Sequence, residues 1–130
     1  MKDKLKSVEK FHRAFGLGVA DAPRAGLEGS KIALRHNLMA EENNEYLEAA
    51  NSGDLVEVAD ALGDMLYILC GTILEHGMQD VIEDVFAVIQ SSNMSKLGAD
   101  GKPIYREDGK VLKGPNYFKP NIAKHLGQLK

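Results

Sequence analysis

Residues 41–90 contain twelve Asp and Glu side chains and no Lys or Arg, and this segregation of charge most constrains the fold. A run of like charges is often a disordered tail. Here, however, the acids are interleaved with Leu, Val, Ile, Met, Phe and Tyr, which a solvated tail lacks. The sequence therefore predicts a folded segment whose carboxylates have no basic partners near them in the chain.

The flanking regions carry the opposite charge. Residues 1–40 contain eight basic and four acidic side chains, and residues 94–130 contain eight basic and three acidic ones. A chain of 130 residues with 44% hydrophobic content fits one domain with a modest core, to which a partner subunit would add. We predict a single domain over 1–130, with a helical part at about 1–93 and a basic tail at about 94–130.

Apolar residues that recur at spacings of three and four predict an all-α fold, a four-helix bundle with a short C-terminal hairpin or loop tail. The predicted helices cover about 3–15, 30–51, 54–76 and 80–92. Their predicted N-caps are Ser30, Asp54 and Asp80. In the tail, Asp108 and Gly109 suit a type I′ turn of a small hairpin, and a final short helix is expected from about Asn121.

Several classes of protein are disfavoured by the sequence. No window approaches the roughly 18 uninterrupted apolar residues of a membrane span, and the N-terminus alternates in charge, so we expect no membrane partner and a cytoplasmic location. The acidic middle disfavours specific nucleic-acid binding. Cys70 is the only cysteine and lies in an apolar run, which predicts a buried structural thiol.

The acids of the second and third predicted helices form two narrow strips. Glu42 and Glu45 lie on one face of a helix, and Glu57, Asp60 and Asp64 share a face at i, i+3 and i+7. The connection between the two helices is short, and such connections normally join antiparallel neighbours. We therefore expect the two strips to meet.

Carboxylates that converge without basic partners repel one another, and either raised pKa values or a bound cation must relieve the repulsion. Oxygen ligands without Cys or His favour Mg²⁺, with Mn²⁺ as the alternative. The predicted metal ligands are Glu42, Glu45, Glu57, Asp60 and Asp64. The competing interpretation is a solvated helical face, in which Glu57 is only the capping partner of Asp54.

The acidic motifs carry a resemblance to a known family. "EENNE" (Glu41, Glu42 and Glu45), followed by "EVADALGDMLY", resembles the EExxE and ExxD motifs of the all-α nucleoside triphosphate pyrophosphatases. "FHRAFG", "SSNMSK" and the "DGK…LKGPNYFKP" tail are similar to the MazG-like, phosphoribosyl-ATP-pyrophosphohydrolase-like branch. The second motif has two registers, one ending at Asp60 and one at Asp64, and we retain both, with Asp60 favoured.

The resemblance implies a Mg²⁺-dependent enzyme that hydrolyses a nucleoside triphosphate to the monophosphate and pyrophosphate. It implies that Glu41 or Glu42 orients the attacking water, and that the chain forms a homodimer or higher homo-oligomer in which tail residues act in their own subunit or across the interface. The base and sugar of the substrate stay open.

The basic tail complements a triphosphate. Lys96, Lys110 and Lys113 are the predicted phosphate contacts, Asn93 can bind sugar or phosphate, and Tyr67 either stacks on a base or packs in the core. Two alternatives remain from the sequence: a non-catalytic metal-binding or protein-interaction bundle, and a ferritin-like bundle that stores metal.

Overall fold

The computed structural model describes residues 1–127 and contains four α-helices. They are α1 (Lys2–Ala14), α2 (Lys31–Ser52), α3 (Leu55–Glu75) and α4 (Ile82–Met94), followed by a short 3₁₀ helix, Ala123–Leu126. No strand occurs within the described range, where the only β pairing is one antiparallel bridge. The predicted all-α class with four helices is confirmed, and the helix bounds differ from the expected ones by at most two residues.

The chain divides into two compact units, the first spanning Met1–Asp80 and the second beginning at Val81. In the first unit α3 packs against both α1 and α2. Its buried apolar core is drawn from all three helices and consists of Leu5, Val8, Ala49, Ala61, Cys70, Ile73 and Leu74. Cys70 is fully buried as expected, and burial raises the pKa of its thiol. The single domain over 1–130 stays a prediction.

The turn between α2 and α3 consists of Gly53 and Asp54, and Asp54 is the N-cap of α3 as predicted. Gly53 ends α2 with a φ of 70°, a left-handed conformation that glycine adopts without steric cost. Asp54 begins α3 as its N-cap, and its Oδ1 accepts a hydrogen bond from the Glu57 amide at 3.1 Å. These two residues alone connect the helices, which restricts α2 and α3 to neighbouring positions.

Of the predicted caps, Ser30 is confirmed in position only, and Asp80 is wrong. Ser30 occupies the N-cap position of α2 but makes no side-chain cap bond, and its ψ of 15° departs from the extended backbone that capping requires. The N-cap of α4 is Val81 and not Asp80. Residues 79–81 form a turn, and Val81 occupies the cap position with φ −116° and ψ −14°, so the backbone at the start of α4 is not extended.

The loop between α1 and α2 folds back onto the C-terminal end of α3. The Ala20 amide donates to the Leu74 carbonyl at 2.9 Å, and the Arg24 amide donates to the His76 carbonyl at 2.9 Å. Gly77 has a φ of 68°, and a Cβ there would lie 2.1 Å from the Ala22 carbonyl oxygen. A glycine is therefore required where the loop crosses the end of α3.

The predicted hairpin exists as a single bridge, Tyr105 with Val111, and its predicted type I′ turn is wrong. Among these turn residues only Gly109 has a positive φ, of 87°. The Gly109 amide donates to the Arg106 carbonyl, and the Arg106 amide donates to the Lys110 carbonyl, which is the pattern of a three-residue loop with glycine in the left-handed position. Asp108 instead accepts bonds from the Arg106 guanidinium and the Lys110 amide.

The expected C-terminal helix is present in shorter form as the 3₁₀ helix, where Asn121 Oδ1 accepts from the Lys124 amide at 3.4 Å. None of the helices in the described part of the chain combines the length and apolar character needed to cross a membrane.

Candidate metal and active site

α2 and α3 run antiparallel. As residue numbers increase along α2, the residues that they contact on α3 have decreasing numbers. Lys31 approaches Glu75, Arg35 contacts Thr72 and Ile68, and Glu42 lies near Asp64. The expected antiparallel pairing of the two acidic strips is thus present. The spacing of these α2 residues keeps them on one face of the helix, the face that meets α3.

Three carboxylates converge between α2 and α3. One oxygen from each of Glu42, Glu45 and Asp64 lies within 4.8 Å of the other two. Glu42 and Asp64 are half-buried, and Glu45 is exposed. Glu42 and Glu45 are three residues apart on α2, and the alignment of α3 against α2, held by the Arg35 hydrogen bonds, brings Asp64 to the same height. The cluster is therefore open to solvent on one side.

The donor set fits a hard divalent cation. Glu42 Oε2 is buried and has no hydrogen-bond partner, so the protein leaves one oxygen of this cluster residue without compensation. The ion pairs found among residues 1–127 leave the three clustered carboxylates unpaired. Oxygen-only ligands with unneutralised charge match the preference of Mg²⁺ and Mn²⁺.

The surroundings of the cluster change the pKa of Glu42. Burial raises the pKa of Glu42 above its usual range, and the hydrogen bond and charge of Glu45 raise it further. The charges of Asp64 and Asp60 add to the same effect. Burial first, and the neighbouring acids second, thus shift the pKa of Glu42 towards the protonated form.

We expect the metal-free protein to lose stability with rising pH because of Glu42. Its folded-state pKa lies above the unfolded value, so its contribution is present below the ordinary Glu pKa and is lost as pH rises through the raised value. Urea unfolding in EDTA, from about pH 4 to about pH 8, should show a smaller decline for Glu42→Gln than for wild type. Parallel curves for the two proteins would contradict the shift.

The structure separates the remaining predicted acids from this cluster. Glu57 and Asp60 are exposed on α3 and are not among the three carboxylates within 4.8 Å, although the Asp60 charge acts on Glu42. Glu57 lies two turns nearer the loop than Asp64, and its amide bonds Asp54. Glu41 is exposed on α2 beside Glu42. The preference for Asp60 over Asp64 therefore finds no support in the geometry.

The residues predicted to bind substrate lie in different parts of the fold. Four belong to the second unit: Asn93, Lys96, Lys110 and Lys113. Asn93 is exposed near the end of α4, Lys96 is half-buried, and the Lys113 Nζ lies 4.8 Å from the ring centre of Tyr117. Tyr67 belongs to the first unit, where it is 40% exposed and makes an edge-to-face contact with Phe11 at 5.7 Å. Part of the Tyr67 ring remains accessible.

A buried polar network between α1, α2 and α3 is absent from the sequence predictions. Arg35 is 5% exposed and donates to Thr72 Oγ1 at 3.1 Å and to the Ile68 carbonyl at 2.8 Å. His12 is 2% exposed, with its Nδ1 2.8 Å from the Gly18 carbonyl oxygen. Glu75 is buried, and its Oε1 lies 3.4 Å from Lys31 Nζ. The network ties α2 to α3 two turns from the acids.

The sequence feature that could have indicated this network is the helix face on which its residues lie. Arg35 falls on the same α2 face as Glu42, and an arginine on a helix face that meets another helix indicates a buried cation with fixed acceptors. His12 follows Leu5 and Val8 at helical spacing on α1, which places it on the apolar face of that helix.

Comparison with a solved structure agrees with the fold. A candidate NTP pyrophosphohydrolase from Exiguobacterium sp. 255-15 has a solved structure that matches with a TM-score of 0.54 and 24% identity, over 95% of this chain and 94% of that chain. At this identity the likeness shows the fold alone. No curated protein matches the sequence.

Residues 8–93 match the phosphoribosyl-ATP pyrophosphohydrolase family, and this range contains α2, α3 and all three clustered carboxylates. The chain therefore belongs to the phosphoribosyl-ATP pyrophosphohydrolase family of hydrolases.

Proposed function

We propose that the protein is a Mg²⁺-dependent nucleoside triphosphate pyrophosphohydrolase that converts an NTP or dNTP and water into the monophosphate and pyrophosphate. Mn²⁺ is the alternative metal, and clearance of unwanted nucleotides is the proposed role. The observation that carries the proposal is the cluster of Glu42, Glu45 and Asp64, with one buried and unpartnered oxygen, in a chain of this family.

The three clustered residues would hold the metal. When bound there, Mg²⁺ supplies positive charge against the phosphate oxygens and against the charge that develops in the transition state. Glu41 is exposed, precedes Glu42 on α2 and is not one of the three clustered carboxylates, so we assign its carboxylate to accept a hydrogen bond from the attacking water. Glu42 is the alternative for that role, because its Oε2 has no other partner.

Attachment of the substrate is assigned to side chains outside the cluster. Lys96, Lys110 and Lys113 offer ammonium groups to the triphosphate, and Asn93 offers an amide to sugar or phosphate. The half-exposed ring of Tyr67 offers a surface on which a base can stack. These roles are proposals. Glu57 and Asp60 are also proposed metal ligands, and we rank both below Asp64.

The proposal is tested by pyrophosphate release from a panel of canonical and modified nucleoside triphosphates in Mg²⁺, Ca²⁺ or EDTA. We expect release in Mg²⁺, little in Ca²⁺ because its looser coordination positions water less well, and none in EDTA. Full-rate release in EDTA would refute the metal role. Mn²⁺ binding without turnover of any triphosphate would favour the non-catalytic metal-binding alternative.

We also propose a homodimer or higher homo-oligomer, formed through an exposed leucine face of α3. Leu55 is 80% exposed, and Leu62, Leu66 and Leu69 follow at helical spacing with exposed fractions of 36–50%. These leucines remain exposed although α3 also packs against α1 and α2, and an apolar face of this extent is typical of a protein interface.

We expect Leu62→Glu to convert the oligomer into a monomer, because the introduced carboxylate would be buried without a partner at the interface. The control is Leu47→Glu on α2, where a leucine of similar exposure lies outside this face. Light scattering at micromolar concentration measures the mass of each. A monomeric wild-type protein, or an unchanged mass for Leu62→Glu, would contradict the assignment.

A further inference from the structure

A groove in the second unit lies between α4 and the C-terminal segment and has a volume of about 400 Å³. That volume lies within the range of small-molecule sites in proteins. α4 contributes one wall through Asp84, Val88 and Ser91, which are spaced at i, i+4 and i+7 and therefore share a face. The other wall is the segment from Phe118 to His125.

The C-terminal wall is held against α4 by its backbone. Ser92 Oγ donates to the Phe118 carbonyl at 2.8 Å, and the Phe118 amide donates to Ser95 Oγ at 3.2 Å. Ser92 is 3% exposed, so the first of these bonds is shielded from water. Phe118 is consequently fixed at its backbone, while its side chain stays 50% exposed in the groove.

The groove carries an excess of unpaired cationic and donor groups. Lys119 and Lys124 line it, and within residues 1–127 neither ammonium group makes an ion pair. His125 adds an imidazole. The Asn121 Oδ1 accepts from the Lys124 amide, which leaves its amide N–H groups available as donors. Asp84 is the one acid in the lining. Such a set favours an anion with several acceptor oxygens.

We propose that this groove binds a nucleoside monophosphate without a metal ion. The two ammonium groups and the imidazole match a phosphate, which accepts several charge-assisted hydrogen bonds. The exposed Phe118 ring offers a stacking surface to a base. Asp84 would bind the sugar, because a carboxylate accepts hydrogen bonds from ribose hydroxyls. The ligand class follows from the lining alone and does not depend on the proposed reaction.

The test measures binding of AMP, adenosine and inorganic phosphate by calorimetry in EDTA, so that no metal contributes. AMP should bind wild-type protein at least about tenfold more tightly than either fragment, since only AMP engages both the lysines and the ring. Lys119→Ala/Lys124→Ala should weaken AMP binding about tenfold or more. Phe118→Leu should weaken AMP and leave inorganic phosphate unchanged.

Two controls separate the groove from other causes. Lys102→Ala removes an exposed tail lysine outside the groove and should leave AMP binding unchanged. Glu45→Gln should also bind AMP as wild type does, even where its pyrophosphate release is lost, which separates this site from the proposed reaction. Circular dichroism and thermal unfolding verify that each variant is folded.

Absence of AMP binding in EDTA would overturn the proposal. Equal weakening by Lys102→Ala and by Lys119→Ala/Lys124→Ala would overturn the assignment to the groove. Phosphate binding as tight as that of AMP would overturn the nucleotide assignment.

Discussion

Asp64→Asn should lower pyrophosphate release by about a thousandfold while the protein stays folded. The substitution keeps the shape of the side chain and removes one anionic oxygen from the cluster with Glu42 and Glu45. A misplaced metal loses both charge neutralisation and water activation, so that the effect on turnover is large. Steady-state rates in saturating Mg²⁺ measure it, with melting temperature recorded in parallel.

Stability should move in the opposite direction from activity. Removing one of several crowded carboxylates relieves repulsion, so metal-free Asp64→Asn should melt at or above the wild-type temperature. It should also gain less than wild type when Mg²⁺ is added, since a ligand that binds weakly stabilises the fold less. A merely destabilised variant would show a lower melting temperature in EDTA.

Matched acid variants decide which carboxylates matter. Glu45→Gln should behave like Asp64→Asn, whereas Glu48→Gln, exposed on α2 and outside the cluster, should keep wild-type turnover. Asp60→Asn and Glu57→Gln should have smaller effects than Asp64→Asn, because neither lies within the group of three. If Asp60→Asn lost activity and Asp64→Asn retained it, the register that ends at Asp60 would be the functional one.

Gly71→Ala and Gly63→Ala should change stability in opposite directions although both lie in α3. A Cβ at Gly71 would be 2.6 Å from Arg35 Nη2 and 2.6 Å from His12 Nε2. Both side chains are buried and held by hydrogen bonds, so neither can move aside freely. Overpacking of this kind costs about 1–3 kcal/mol, against a helix-propensity gain of at most about 1 kcal/mol.

Nothing lies within 4 Å of a Cβ at Gly63, so that substitution retains only the gain in helix propensity. We expect thermal unfolding to show a melting temperature several degrees lower for Gly71→Ala and slightly higher for Gly63→Ala, in line with about 4 °C per kcal/mol for a chain of this size. Equal shifts would mean that Arg35 and His12 do not pack on Gly71 as described.

Local signals made most of the fold predictable. Gly53 marks the end of α2 and Asp54 marks the start of α3. Both are recognisable in the sequence because a left-handed glycine and a capping carboxylate affect only the few residues around them. Asp80 carried a similar signal and failed, because the chain turns through residues 79–81 and Val81 occupies the cap position of α4. The type I′ turn predicted at Asp108 and Gly109 failed likewise, because Asp108 accepts hydrogen bonds from the Arg106 guanidinium and the Lys110 amide in a three-residue loop.

The site was predictable as a set of acids but not as a cluster. Periodicity places Asp60 and Asp64 on the same side of α3, and the sequence alone does not say which of them reaches the height of Glu42. That height depends on how α2 and α3 are aligned, which the bonds from Arg35 to Ile68 and Thr72 fix. These are contacts between residues more than thirty positions apart, and no short-range pattern records them.

The most direct test of the account is ³¹P NMR of a nucleoside triphosphate that the protein turns over, incubated with Mg²⁺ and either wild-type protein or Asp64→Asn. The account predicts resonances of the monophosphate and pyrophosphate with wild type only, and none with wild type in EDTA. Formation of a diphosphate and orthophosphate, or equal formation of pyrophosphate by Asp64→Asn, would contradict it.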